Sequence, residues 1–210
     1  MIAHLYLFDG YADWEAAFAV AGINNLQFQR EPGRWQVKTV GESPRVMVRS
    51  MGGIASLPDM FLEELHPEDS GLLILPGGPN WEEDGPHDMA IHAAVEFVER
   101  GVPVAAICGA TAGLARAGLL DERAHTSNAA SYLNGTGYAG QDRYVDEPAV
   151  NDGGVITAGG MAPIEFAREI FRQIALYEDE ALDAWYELYK TGKSEYFARL
   201  RRAAQSSATA

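Results

Sequence analysis

The sequence predicts a doubly wound α/β domain: a largely parallel sheet with helices on both faces, followed by a C-terminal helical extension. Two observations carry this. Apolar runs of strand length alternate with helical stretches along the chain, the pattern of βαβ units. Several of those runs, "IAHLYLF", "GLLIL" and "VPVAAI", are nearly all apolar, as expected of strands buried on both faces.

The elements follow in order. Residues 2–8 read as the first strand, ended by Asp9-Gly10. Residues 13–28 are alanine-rich and read as a helix. "WQVKTVG" at 35–41 alternates like a strand, and 46–50 reads as another before Gly52-Gly53. A short helix is expected over 59–65, after Pro58. Residues 71–75 form a strand closed by "PGGP". In the helix expected over 88–100, Ile91, Val95 and Val98 share a face, and Gly101 stops it. A strand at 102–107 runs into the helical "GATAGLARAGLL". A hairpin turns at 151–154, and a helix over 162–175 carries the stripe Ala167, Ile170, Phe171 and Ile174. Leu182, Trp185, Tyr186 and Tyr189 mark a further helix, with Asp179 as its N-cap and Gly192 as its end. This aromatic stripe either caps its own subunit or forms a dimer contact. The final "AAQSSATA" reads as frayed. The domain proper is placed at 1–178 and the extension with its tail at 179–210, the helical part at 179–200.

The chain has 210 residues, 47% of them hydrophobic, enough for one domain with its own core. A single cysteine forms no internal disulfide, so the reducing cytoplasm is the expected compartment. The opening "MIAHLYLFDG" lacks a basic n-region and a small-residue cleavage site, and no signal peptide is read. No apolar run is long enough to suggest a membrane span. The net charge of −14 argues against binding a phosphate backbone. The one basic cluster, "ARLRRA" at 198–203, suits a helix C-terminus.

Three motifs carry chemistry. Cys108 follows "VPVAAI" directly, which places it at a strand's carboxyl end and a helix's N-terminus. The dipole and free amides there favour a thiolate. Ala106, Gly109, Ala110 and Gly113 leave room for a sharp strand-to-helix turn, the geometry of a nucleophile elbow. A lone cysteine also serves as a small buried hydrophobe, and sequence position leaves both readings open. "GATAG" is a threonine variant of G-x-S-x-G, but Thr111 lies inside the helix and is set aside. In "LILPGGPNW", Gly77 and Gly78 either expose consecutive amides to an anion or make an ordinary turn. Glu15, in "FDGYADWEAAF", either complements the helix dipole or meets Cys108 through the fold.

"FDGYADWE", "LILPGGPNW", "AAICGATAGLARAGLLDERAHTSN" and "AVNDGGVITAGGMAPIEFAREIF" together resemble the ThiJ/PfpI superfamily, of the class I glutamine amidotransferase-like fold, a flavodoxin-like sandwich. The resemblance spans about residues 2–176. It implies Cys108 as elbow nucleophile, Glu15 as the acid bonded to its sulfur, and Gly77, Gly78 and Gly109 as oxyanion-hole positions. A protonated Glu15 would lower the Cys108 pKa, and an ionised one would raise it. The family's PfpI-type histidine after the nucleophile is absent, since Gly109 stands there. Where other members place a histidine or tyrosine, this chain offers Asn128, with His125 three residues earlier. Trp81 and the acidic residues after it, and Trp14 beside Glu15, are candidate pocket walls; Trp14 fits the core equally.

The expectation is therefore a cysteine-dependent enzyme acting on a small electrophilic carbon, glyoxalase- or deglycase-like or an amide or isonitrile hydrolase. Cys–His peptidase chemistry is doubtful without the histidine. The alternatives are an oxidative-stress sensor in which Cys108 is oxidised, and a binding or chaperone role with an inert thiol. No cofactor or metal is expected. The partners expected are a small-molecule substrate and a second copy in a homodimer, with no nucleic acid or membrane. "HPE" at 66–68 precedes the cysteine, the wrong order for a glutamine amidotransferase. "TGKS" at 191–194 has Glu187 where a P-loop needs glycine. His87 and His92 read as surface residues.

Overall fold

Seven strands make one sheet in the order β5-β2-β1-β6-β7-β9-β8, in a computed structural model that describes residues 1–43 and 45–207. These strands are β1 (Ile2–Leu7), β2 (Gln36–Gly41), β5 (Met60–Phe61), β6 (Leu72–Leu75), β7 (Val104–Ile107), β8 (Ala149–Asp152) and β9 (Val155–Ala158). All neighbours run parallel except β8 and β9, the expected hairpin. β6 and β7 are buried at every residue, which is why both read as continuous apolar runs.

The helices α1 (Asp13–Asn24) and α5 (Pro163–Gln173) pack on each other, as do α2 (Asp88–Glu99) and α3 (Ala110–Arg116). A short α4 (Ala130–Leu133) contacts α3. A separate ribbon pairs β3 (Val48–Arg49) with β4 (Ala55–Ser56).

The extension is two helices, α6 (Asp179–Thr191) and α7 (Ser194–Ser207), parted by Gly192 in the left-handed region at φ 69°. Its aromatic stripe packs on its own subunit. Trp185 meets Phe18 of α1 and Phe171 of α5, Tyr189 meets Phe18, and the Tyr186 hydroxyl donates to Glu165.

Several local expectations are corrected. The helix foreseen over 59–65 is the edge strand β5 followed by a 3₁₀ turn, Leu62–Glu64. Met60 and Phe61 find unpaired backbone on β2 at Val40 and Gly41, and that pairing outweighs the local helical pattern. α1 ends at Asn24, because Asn25 turns extended and its side chain accepts from Gln27 N of a 3₁₀ turn. Asp179 is the first helical residue of α6 and Glu178 its N-cap, with no side-chain cap bond. The tail expected to fray is helical through Ser207; residues 208–210 lie outside the described residues. Of the two histidines read as surface residues, His87 is buried and His92 stands in solvent. Among the described residues, no helix is long and apolar enough to cross a membrane.

The chain leaves β1 toward β2 on one side and resumes at β6 on the other. The carboxyl ends of β1 and β6 therefore flank a topological switch point, where open α/β sheets place their sites.

Candidate active site

Four loops leaving the carboxyl ends of β1, β6, β7 and β9 converge on Cys108. The thiol is on a strained turn: Cys108 has φ 58°, a left-handed conformation a residue with a Cβ adopts only when its surroundings impose it. Its N–H donates to Ala158 O at 2.9 Å, which ties the elbow to β9. Thr111 Oγ1 donates to Cys108 O at 2.6 Å. With its one proton so used, Thr111 accepts from Ser127 Oγ, also at 2.6 Å. Thr111 is thus a buried brace of the elbow.

Glu15 comes from the first turn of α1 and is 1% exposed. Its Oε2 accepts from Gly77 N at 2.5 Å, while Ala12 N, just before α1, donates to Gly77 O at 2.9 Å. A Cβ on Gly77 would lie 2.7 Å from both Cys108 Cβ and Glu15 Oε2; one on Gly160 would lie 2.9 Å from Cys108 Sγ and 3.1 Å from Glu15 Oε1. The carboxyl and thiol are held between two glycine backbones that leave no room for a side chain.

Asn128 Nδ2 donates to Cys108 Sγ at 3.4 Å, within the looser range of a sulfur acceptor. Its Oδ1 accepts from Gly160 N at 2.9 Å, which settles which end of the amide faces the sulfur. The Gly109 amide also favours the thiolate form of the sulfur. Gly78 has φ 155°, with Phe8 and Gly10 O so close that a Cβ would clash, and its N–H meets no acceptor among the described residues.

Gly77 is corrected as an oxyanion donor, since its amide is engaged by Glu15. His125 is fully buried, its ring nitrogens bonded to Arg123 O and Tyr138 OH, so neither is left for the thiol. Trp14 is 47% exposed and so is not a core residue. Trp81 lies fully buried against Gly109 and Gly113, so it supports the elbow from below and is not an open wall.

Burial pushes Glu15 above the usual carboxylate range, against the bonds from Gly77 and Cys108. Burial also pushes the Cys108 thiol up, to about 11; Glu15 adds to this, while Asn128 and Gly109 oppose it. This direction runs against the lowering expected from the helix N-terminus, because desolvation outweighs the amides. Burial thus works against charge on both members of the pair, the Glu15 carboxylate and the Cys108 thiolate.

Sequence reading missed Gly160 and Tyr132. Gly160 ends "ITAGG" just as Gly77 follows "LILP", a glycine pair at a strand's carboxyl end, and that signal was available. Tyr132 donates to Glu82 and lies within reach of the charges of Cys108 and Glu15. No local pattern marks it.

A fold and site of this kind define a cysteine-centred member of the glutamine amidotransferase-like class. The chain belongs to the DJ-1/PfpI family, whose model matches residues 1–173. It is 38% identical over 200 residues to the "uncharacterized protease YoaZ" of Bacillus subtilis (strain 168), covering 94% of each chain. A thiJ/pfpI family protein from Bacillus anthracis superposes with TM-score 0.90 at 40% identity, over 97% of each chain. A DJ-1 superfamily protein from Agrobacterium tumefaciens does so with TM-score 0.79 at 34% identity, over 91% of this chain and 98% of that one. These relationships support a cysteine-based catalytic role at the level of the family.

Proposed function

We propose that the protein is a cysteine-dependent enzyme that converts small 2-oxoaldehydes to 2-hydroxy acids, with Cys108 as nucleophile and Glu15 as its single acid–base group. The observation that carries this reading is the sulfur's set of partners. Asn128 and Gly109 offer amides, and Glu15 alone can exchange a proton.

Glu15 takes the thiol proton as sulfur bonds to the aldehyde carbon. The carbonyl electron pair moves to oxygen between the Gly78 and Gly109 amides, and Glu15 returns the proton there, giving a hemithioacetal. The carboxylate next removes the C–H proton from that carbon, and electrons flow to the neighbouring ketone oxygen. Return of a proton from Glu15 to the adjacent carbon, with the hydroxyl proton passing from the first oxygen to the second, leaves a 2-hydroxyacyl thioester, which water cleaves to acid and free thiol. One carboxylate serving two adjacent carbons is enough for this sequence.

Amide or isonitrile hydrolysis is the second enzymatic reading. It needs a donor to the departing group as well as a base for water, and Glu15 would have to do both. Cys–His peptide cleavage has the least support, with His125 turned away. The sensor reading ranks below catalysis because oxidation starts from a thiolate standing in the resting site, which burial disfavours, whereas in the proposed reaction Glu15 takes the thiol proton only as sulfur bonds to substrate.

The test is turnover of glyoxal and methylglyoxal in deuterated water by the wild type and by Cys108→Ser, with circular dichroism to check the fold. The expected result is 2-hydroxy acid carrying solvent deuterium at the hydroxyl-bearing carbon, and no product from folded Cys108→Ser. Turnover that survives loss of the sulfur, or its absence from the wild type, refutes the proposal.

A further inference from the structure

The loop that carries Gly77 and Gly78 is pinned from behind by a side-chain relay, buried at His87 and Tyr6 and open to solvent at Glu42, that the chemistry above does not use. His87 precedes α2 with φ 68° and is 6% exposed. Its Nε2 lies 3.0 Å from Pro79 O, the residue after Gly78, and its Nδ1 lies 3.0 Å from the Tyr6 hydroxyl. Tyr6 in turn donates to Glu42 Oε1. The imidazole stacks on Trp81, with centroids 4.1 Å apart and planes 20° apart, and meets Phe8 edge-on. Phe8 lies under Gly78 and Trp81 under Gly109. One ring therefore backs both amides assigned to the developing anion.

The relay has three hydrogen bonds and needs three protons. A carbonyl only accepts, so the Pro79 bond requires a proton on Nε2. Tyr6 gives its proton to the Glu42 carboxylate, a charge-assisted bond. The middle bond then requires a proton on Nδ1 as well. Neutral imidazole brings one proton, tyrosine one and carboxylate none. The complete relay holds one proton more, whether it is drawn as imidazolium with carboxylate or as neutral imidazole with carboxylic acid, and that proton belongs to the relay as a whole. Without it, and as long as Tyr6 keeps its proton on the Glu42 carboxylate, His87 has a single proton to place on either the Tyr6 side or the Pro79 side.

We propose that His87, with Tyr6 and Glu42, is a positioning device that locks the Gly78 loop when the relay takes up its extra proton and loosens it when the proton leaves. This rests on the reading of Gly78 and Gly109 as anion donors, and it adds a proton-linked control of their placement. The groups that face the imidazole are Tyr6, Glu42, Asp88 and Arg116; Arg116 pairs with Asp84 at 3.2 Å and with Asp88 at 3.8 Å. Burial, as the largest influence, and Arg116 work against the imidazolium, while the Pro79 carbonyl, Glu42 and Asp88 favour it; His87 ends below its ordinary value. The lock therefore closes on the acidic side of neutrality.

The experiment follows the His87 ring nitrogens and the Gly78 amide by nuclear magnetic resonance from about pH 5 to about pH 8. It is run in the Glu15→Gln background, so that titration of Glu15 does not reach Gly78 through Gly77. The two signals are expected to move together, with one midpoint below the ordinary histidine value of ~6.5. Adding Glu42→Gln supplies an amide proton to Tyr6 O, frees the Tyr6 proton for Nδ1 and leaves Nε2–H for Pro79. That variant is expected to show no midpoint, with Gly78 at its acid-limit shift throughout. His87→Phe keeps an aromatic ring on Trp81 without either bond, and should give a pH-independent Gly78 shift away from the acid limit. A Gly78 amide that ignores the His87 titration, or an unchanged titration with Glu42→Gln, overturns the proposal.

In turnover of methylglyoxal with Glu15 restored, Glu42→Gln should erase the limb of the kcat profile at that midpoint. His87→Phe should lower kcat by up to about 100-fold, the scale of a small misplacement of catalytic groups. A coupled titration with no turnover in the wild type would refute the enzyme reading and leave the loop lock standing.

Discussion

Replacing Glu15 with glutamine tests the electrostatics of the site most directly, because it keeps the shape and removes the charge. In the wild type, Cys108 is held at about 11 against an ordinary 9.0, with burial first among the causes and the charge and hydrogen bond of Glu15 also raising it. Burial, Asn128 and Gly109 remain in Glu15→Gln, so the thiol value should fall part of the way from about 11 toward 9.0. Each unit of fall gives about tenfold more thiolate at neutral pH. The less basic sulfur is also a weaker nucleophile, with a Brønsted slope of ~0.4–0.5, so the net gain is roughly three- to fourfold per unit. The assay is the rate of Cys108 carbamidomethylation by iodoacetamide against pH, read by intact mass. Faster alkylation, with 2-oxoaldehyde turnover lost, is the expected pair of results, since the carboxylate both restrains the thiol and relays its protons. Slower alkylation in Glu15→Gln would refute this and show that Glu15 acts in the resting state as a protonated donor to the thiolate.

The same substitution should change stability with pH. Burial raises Glu15, so its favourable contribution is fully present below the ordinary carboxylate value and is lost as pH rises through the higher folded value. Glu15→Gln should therefore melt higher than wild type at neutral pH, with the gap closing toward about pH 4. Thermal melts across that range check it, and a gap that widens on acidification contradicts the assignment. Gly160→Ala puts a methyl 2.9 Å from Cys108 Sγ and 3.0 Å from Cys108 Cβ. Overpacking at about 1–3 kcal/mol should lower Tm by roughly 2–12 °C for a chain of this size, and alkylation should slow as the methyl crowds the sulfur. A wild-type Tm together with a wild-type alkylation rate would show that Gly160 does not enclose the thiol.

The α/β class was legible because β1, β6 and β7 are buried on both faces, and only apolar residues tolerate that. The position of Cys108 was equally legible, since a strand running into small residues and a helix leaves few other geometries. Glu15 and the glycine loop after β6 came from motif order alone, because residues 62 positions apart meet only through the crossover between β1 and β6. What the sequence by itself determined is local: which runs are wholly apolar, and which turns need glycine. The tertiary structure decided the rest, for reasons that depend on neighbours brought in from elsewhere. Residues 59–65 became a strand because β2 offered an open edge. His87 was buried because Tyr6, Phe8 and Trp81 close around it. The Gly77 amide went to Glu15 instead of an oxyanion, and the thiol value rose because enclosure strips water from a charge more effectively than two amides replace it. Desolvation is a property of assembled surfaces, and no spacing of residues along the chain encodes it.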